Sequence, residues 1–108
     1  MNLNDLKYPI GKFVMPTSLV MHEIKEGIEA LDSFPEKLKA LVKPITAEQE
    51  NWVYRPDGWN IKQIIHHCAD SHMQSVTRFR WALTESTPTI NTYHEALWSQ
   101  MSAYQGPI

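Results

Sequence analysis

Apolar residues recur at steps of three and four along one stretch of the chain. Ile61, Ile64 and Ile65, Cys68, His72, Val76, Phe79 and Leu83 form a single stripe over about six turns of a 3.6-residue helix. Asn60, followed three residues on by Gln63, has the reciprocal capping spacing that starts a helix. The pattern predicts a long helix from Asn60 to about Glu85, its apolar stripe facing a core, and Pro88 closes the segment.

The flanking signals are shorter. The first sixteen residues contain Pro9, Gly11 and Pro16 and no sustained period, which predicts an extended arm over 1–16, packed through Leu3, Leu6, Tyr8, Ile10 and Phe13. Thr17 and Ser18 can cap a helix running to about Leu31, ended by Asp32-Ser33-Phe34-Pro35. A second short helix is expected from Pro35, as its first helical residue, to Pro44. Thr46 with Gln49 predicts a brief helical piece to about Trp52. The stretch Tyr54-Arg55-Pro56-Asp57-Gly58-Trp59 is expected as a turn, since in Pro-Asp-Gly proline presets φ and glycine tolerates positive φ. A weaker amphipathic piece covers Tyr93 to about Tyr104. No β alternation competes, so the class is all-α, and 108 residues make one domain, 1–108, with an arm at 1–16 and a helical part at 17–108.

Charge narrows the function. Ten Lys and Arg against twelve Asp and Glu are scattered rather than clustered, which argues against a nucleic-acid partner. Apolar runs are only a few residues long, so no membrane segment or secretory leader is expected, and with a single cysteine, Cys68, no internal disulfide. A cytoplasmic protein is expected.

The reactive side chains concentrate in His66-His67-Cys68-Ala69-Asp70-Ser71-His72. At 100° per residue His72 falls on the apolar stripe, where a core histidine is the simplest reading. His67 lies on a separate polar stripe with Ser71, Gln74 and Arg78, and His66 points a third way, four residues before Asp70, as an i,i+4 hydrogen-bonded pair. The three imidazoles therefore cannot bind one metal from this helix alone. His67 by itself is open to two readings, a metal ligand in a cleft or a solvent-facing polar residue. Cys68, on the apolar stripe, is expected as a packing residue. Trp52, Trp59, Trp81 and Trp98 could line a cleft or a core, with Trp59 anchoring the turn beside it, and Arg55 and Arg78 could each clamp an anion or lie exposed.

Taken together, Tyr8-Pro9-Ile10-Gly11-Lys12-Phe13, Tyr54-Arg55-Pro56-Asp57-Gly58-Trp59, Gln63-Ile64-Ile65-His66-His67-Cys68-Ala69-Asp70-Ser71-His72-Met73, Arg78-Phe79, Ala82-Leu83-Thr84-Glu85 and Pro88-Thr89-Ile90 resemble, in colinear order, the YfiT-like branch of the DinB superfamily. The resemblance implies a four-helix bundle, here incomplete at the C-terminus. It also implies a metal-dependent hydrolase, or an S-transferase joining a small-molecule thiol such as bacillithiol to an electrophile, with a metal-activated water or thiolate as nucleophile. The metal, zinc or nickel, is expected on three histidines, of which His67 is one. The other two belong to an His-x-x-x-His motif that this sequence does not contain. Two of three ligands being absent, the 108-residue chain is expected to hold metal weakly or not at all and to be inactive. The alternative is a non-catalytic truncated helical scaffold serving as an interaction or dimerisation module, a homodimer being one form of it.

Overall fold

The computed structural model describes residues 2–108. Its α-helices are α1 (Leu3–Lys7), α2 (Met21–Val42), α3 (Ile61–Thr84) and α4 (Glu95–Trp98), with 3-10 turns at Gln49–Asn51 and Ser102–Gln105. Among the described residues there is no strand, only an isolated antiparallel bridge between Val53 and Asn60. The chain divides into two compact units, Met1–Ala47 and Glu48–Ile108.

In the first unit the arm is partly helical. Asn2 accepts from the Asp5 backbone while the Asp5 carboxylate accepts from the Asn2 N–H, so a capping box starts α1 where an extended chain was expected. Beyond Lys7 the arm does not pack as expected: Ile10 and Phe13 are almost fully exposed. The two helices expected on either side of Pro35 are one, α2, with Pro35 inside it. Proline's fixed φ is compatible with a helix; what it removes is the N–H that would reach the Leu31 carbonyl. Pro35 is exposed, so that carbonyl can turn to water and the helix continues. Nor do Thr17 and Ser18 cap it, because α2 begins only after Val20, whose extended backbone (φ −110°, ψ 134°) offers no side-chain cap bond.

The second unit is organised by α3. Asn60 accepts from the Gln63 N–H at 2.8 Å and Gln63 Oε1 accepts from the Asn60 N–H at 3.0 Å, the expected capping box. Upstream, the Ile61 N–H donates to the Trp52 carbonyl at 3.1 Å and closes the loop between them. At the tip the Gly58 N–H donates to the Arg55 carbonyl at 3.0 Å, but the residue with positive φ is Asp57 (φ 56°), not Gly58. That is a turn with Pro56 at the second position and a left-handed third residue, which Asp tolerates. Gly58 is needed for room: a Cβ there would lie 2.7 Å from Arg55 Cγ, 3.0 Å from the Arg55 carbonyl oxygen and 3.1 Å from Tyr54 Cε1.

Burial on α3 departs from the pattern. Ile61, Ile64, Ile65, Cys68 and His72 are half-buried, whereas Val76, Phe79 and Leu83 are 48%, 65% and 85% exposed, so the stripe is not a core seam along its whole length. The fully buried residues among those described are Tyr104 and Ser99, 4% and 2% exposed, and both belong to the C-terminal segment. The expected helix over Tyr93–Tyr104 resolves into α4, a bend and the 3-10 turn at Ser102–Gln105.

Two consequences are measurable by chemical denaturation. Asn60→Ala should destabilise the chain by about 1 kcal/mol, from loss of the cap, whereas Phe79→Ala should stay within about 0.5 kcal/mol because the ring is exposed. Pro35→Ala should raise the stability of α2, by up to about 3 kcal/mol at an exposed interior helix position, read as slower amide exchange around Leu31.

Candidate functional site

The C-terminal segment lies on a polar strip of α3 formed by Lys62, Gln63, His66 and Asp70, close neighbours on one helical face. Lys62 Nζ donates to the Gln105 carbonyl at 3.2 Å and pairs with Glu50 at 3.5 Å. Gln63 Nε2 donates to the Ser99 carbonyl at 3.0 Å. His66 Nε2 lies 3.3 Å from the Gly106 carbonyl; a carbonyl only accepts, so the proton sits on Nε2. The His66 ring also stacks on Tyr104, centroids 5.3 Å apart at 28°. Tyr104 donates its hydroxyl to the Asp70 carboxylate. The expected His66–Asp70 pair is therefore not made: each turns to the C-terminal segment, which returns from more than thirty residues away and was invisible to helical spacing.

His67 points elsewhere. Its ring meets Trp59 at 4.9 Å and 56°, which ties the turn's tryptophan to α3, and its Nδ1 is closed off from water with no hydrogen-bond partner. A withdrawn polar nitrogen without a partner carries a free-energy cost that protein structures normally avoid. Along the same stripe, eleven residues on, Arg78 Nε is in the same condition, while its Nη2 donates to the Asn91 carbonyl at 3.2 Å. Arg55, the other candidate clamp, is occupied within its own turn: Nε donates to the Tyr54 hydroxyl and Nη1 to the Pro56 carbonyl, both at 3.0 Å. Burial pushes the Cys68 thiol up, which disfavours the thiolate and fits a packing residue. Of the tryptophans, Trp98 packs on Tyr93 at 4.5 Å and Trp52 is exposed.

Among the described residues no three His, Cys, Asp or Glu converge to hold a metal ion. His67 is thus a single donor, in an environment that leaves one nitrogen unsatisfied, and the residues present fit one ligand of a metal centre rather than a complete set.

Comparison with known proteins places the chain. A model of the DinB superfamily matches residues 30–105. The chain belongs to that superfamily. It is 37% identical over 106 residues, 98% of its length, to proteins named "Putative metal-dependent hydrolase" from Bacillus cereus (strain 03BB102) and Bacillus anthracis (strain A0248). It superposes on YfiT from Bacillus subtilis with a TM-score of 0.88 and 39% identity over 94% of this chain. YfiT is described as "a probable metal-dependent hydrolase with an unusual four-helix bundle topology", so the DinB chain's all-α class and bundle relationship agree with the sequence reading. The chain spans 61% of the length of those curated relatives and 58% of YfiT. No helix among the described residues is long and apolar enough to cross a membrane.

The contact that sequence reasoning missed, Tyr104 with Asp70, titrates distinctively. Burial, then the hydrogen bond to Asp70 and that carboxylate's charge, hold the Tyr104 phenol well above its ordinary range. Because the folded pKa is raised, the stabilisation is fully present below the unfolded phenol value of about 10 and is lost as pH rises above it toward the folded value. Ultraviolet titration of the folded chain should show a late-ionising phenol that disappears in Tyr104→Phe. That variant should be about 1.5–3 kcal/mol less stable at neutral pH, since it removes a hydrogen bond to a charged group.

Proposed function

We propose that His67 is one ligand of a divalent-metal centre, zinc or nickel, in a hydrolase or thiol S-transferase of the YfiT type. The observation that carries the reading is the His67 imidazole: a half-buried ring on a polar stripe, with Nδ1 shielded from water and left without a protein partner, in a chain whose relatives are named metal-dependent hydrolases. When bound, such a metal acts as a Lewis acid and lowers the pKa of water or of a thiol, making a nucleophile for an electrophilic substrate. The chain's own contributions are the ring of His67, oriented by Trp59, and the polar wall of Ser71, Gln74 and Arg78 beside it. His66 is not a ligand on this reading, because its Nε2–H is committed to the Gly106 carbonyl.

Catalytic zinc takes about three protein ligands and one open position. The described residues bring together no such group, so the 108-residue chain by itself should hold metal weakly and show neither thiol-transfer nor hydrolytic activity. The second reading is a non-catalytic helical scaffold that serves as an interaction or dimerisation module.

Metal content after dialysis, measured on the chain and on a chimera carrying the remaining C-terminal part of the Bacillus cereus relative, separates the two. The expected result is substoichiometric metal on the chain and about one equivalent on the chimera. His67→Ala should abolish binding by the chimera and His66→Ala should leave it intact. A chimera that binds metal equally well without His67 would overturn the ligand assignment, and one that binds none would favour the scaffold.

A further inference from the structure

Between the C-terminal half of α3 and the segment that follows it lies an open cleft of about 380 Å³, lined by Ser75, Arg78, Phe79, Ala82, Pro88 and Ile90. The volume is within the range of small-molecule sites. Ser75, Arg78, Phe79 and Ala82 stand at i, i+3, i+4 and i+7 and so share one helical face; Pro88 and Ile90 stand opposite, and the cleft is open to solvent. The walls are apolar apart from Ser75 and Arg78. The Ser75 hydroxyl donates to the Ser71 carbonyl at 3.0 Å, which leaves its oxygen as an acceptor and gives the cleft no further donor.

Arg78 is the exception among the cations whose contacts are resolved. Lys62 is paired with Glu50, and Arg55 is spent on its own turn. Arg78 is half-buried and forms no ion pair among the described residues; Nη2 reaches the Asn91 carbonyl, and Nε is shut away from water without an acceptor. A guanidinium cannot relieve this by losing its proton, so a half-buried cation stays uncompensated at the edge of an apolar cleft.

We propose that this cleft binds a small organic monoanion with an apolar body, a carboxylate on an aryl or branched acyl group, and that Arg78 recognises its charge. A cation would be repelled by Arg78, and a neutral apolar molecule would fill the walls but leave the guanidinium unpaired. A carboxylate accepting from the Arg78 guanidinium, its body against Phe79, Ala82, Pro88 and Ile90, supplies both the missing charge and the apolar contact. The inference does not rest on the metal reading of His67.

The test titrates the 108-residue chain with 3-phenylpropanoate, with 3-phenylpropanamide and with inorganic phosphate, following the Ala82 and Ile90 amide resonances. The carboxylate should shift both saturably, and the isosteric amide and the bare anion should each bind at least about tenfold more weakly. Arg78→Met, with its helical circular dichroism unchanged, should bind the carboxylate no better than the amide. Equal affinity for acid and amide would show that Arg78 reads no charge, and phosphate binding as tightly as the carboxylate would show that the walls contribute nothing; either result overturns the proposal. Should Arg78→Met fail to fold, the acid-to-amide ratio on the unaltered chain decides alone.

Discussion

The hydroxyl of Tyr104 on the Asp70 carboxylate is the contact on which the second unit depends. It brings the C-terminal segment onto α3, where Gln63, Lys62 and His66 each take one of its backbone carbonyls. Tyr104 and Ser99, the fully buried residues among those described, are buried by this arrangement. The tightest packing of the unit is thus built on a polar strip and held by hydrogen bonds. Such bonds contribute about 1 kcal/mol each in net terms, but leaving one of their partners buried and unmade costs more. That asymmetry explains why four side chains of one helical face are all committed to the same returning segment.

The commitment sorts the histidines. His66, stacked on Tyr104 and donating to Gly106, is a structural residue. His67, one position later and so about 100° around the helix, is left with a nitrogen that no described residue satisfies. The contrast between neighbours comes from which side of α3 the C-terminal segment covers, and the proposed ligand role of His67 rests on it. The polar stripe from His67 through Ser71 and Gln74 to Arg78 is half-buried, and both of its ends carry a shielded nitrogen with no partner among the described residues.

Much of α3 could be read directly from the residues. Its length followed from the three- and four-residue spacing, its start from Asn60 and Gln63, and the turn before it from Pro56, Asp57 and Gly58. The capping box of Asn2 and Asp5 was equally local and would have revealed α1 to the same rule. A proline's effect on a helix depends on whether the carbonyl it deprives can find water; Leu31 is 54% exposed and α2 runs on through Pro35. Gly58 serves the turn in a way its freedom at positive φ does not state: Asp57 takes the positive φ, while the space beside Gly58 is set by how Arg55 and Tyr54 fold back over the turn.

What the amino-acid order determined by itself was whatever is decided within a few residues: helical period, caps, turn chemistry and the all-α class, together with the family resemblance. Which face of α3 would be covered was not decided there. Its apolar stripe was the stronger signal, yet Phe79 and Leu83 are exposed while Asp70 and His66 hold the C-terminal segment. A hydrophobic pattern states which side of a helix would gain by leaving water, but contacts spanning more than thirty residues decide which side does, and only the tertiary structure brings Tyr104 to Asp70.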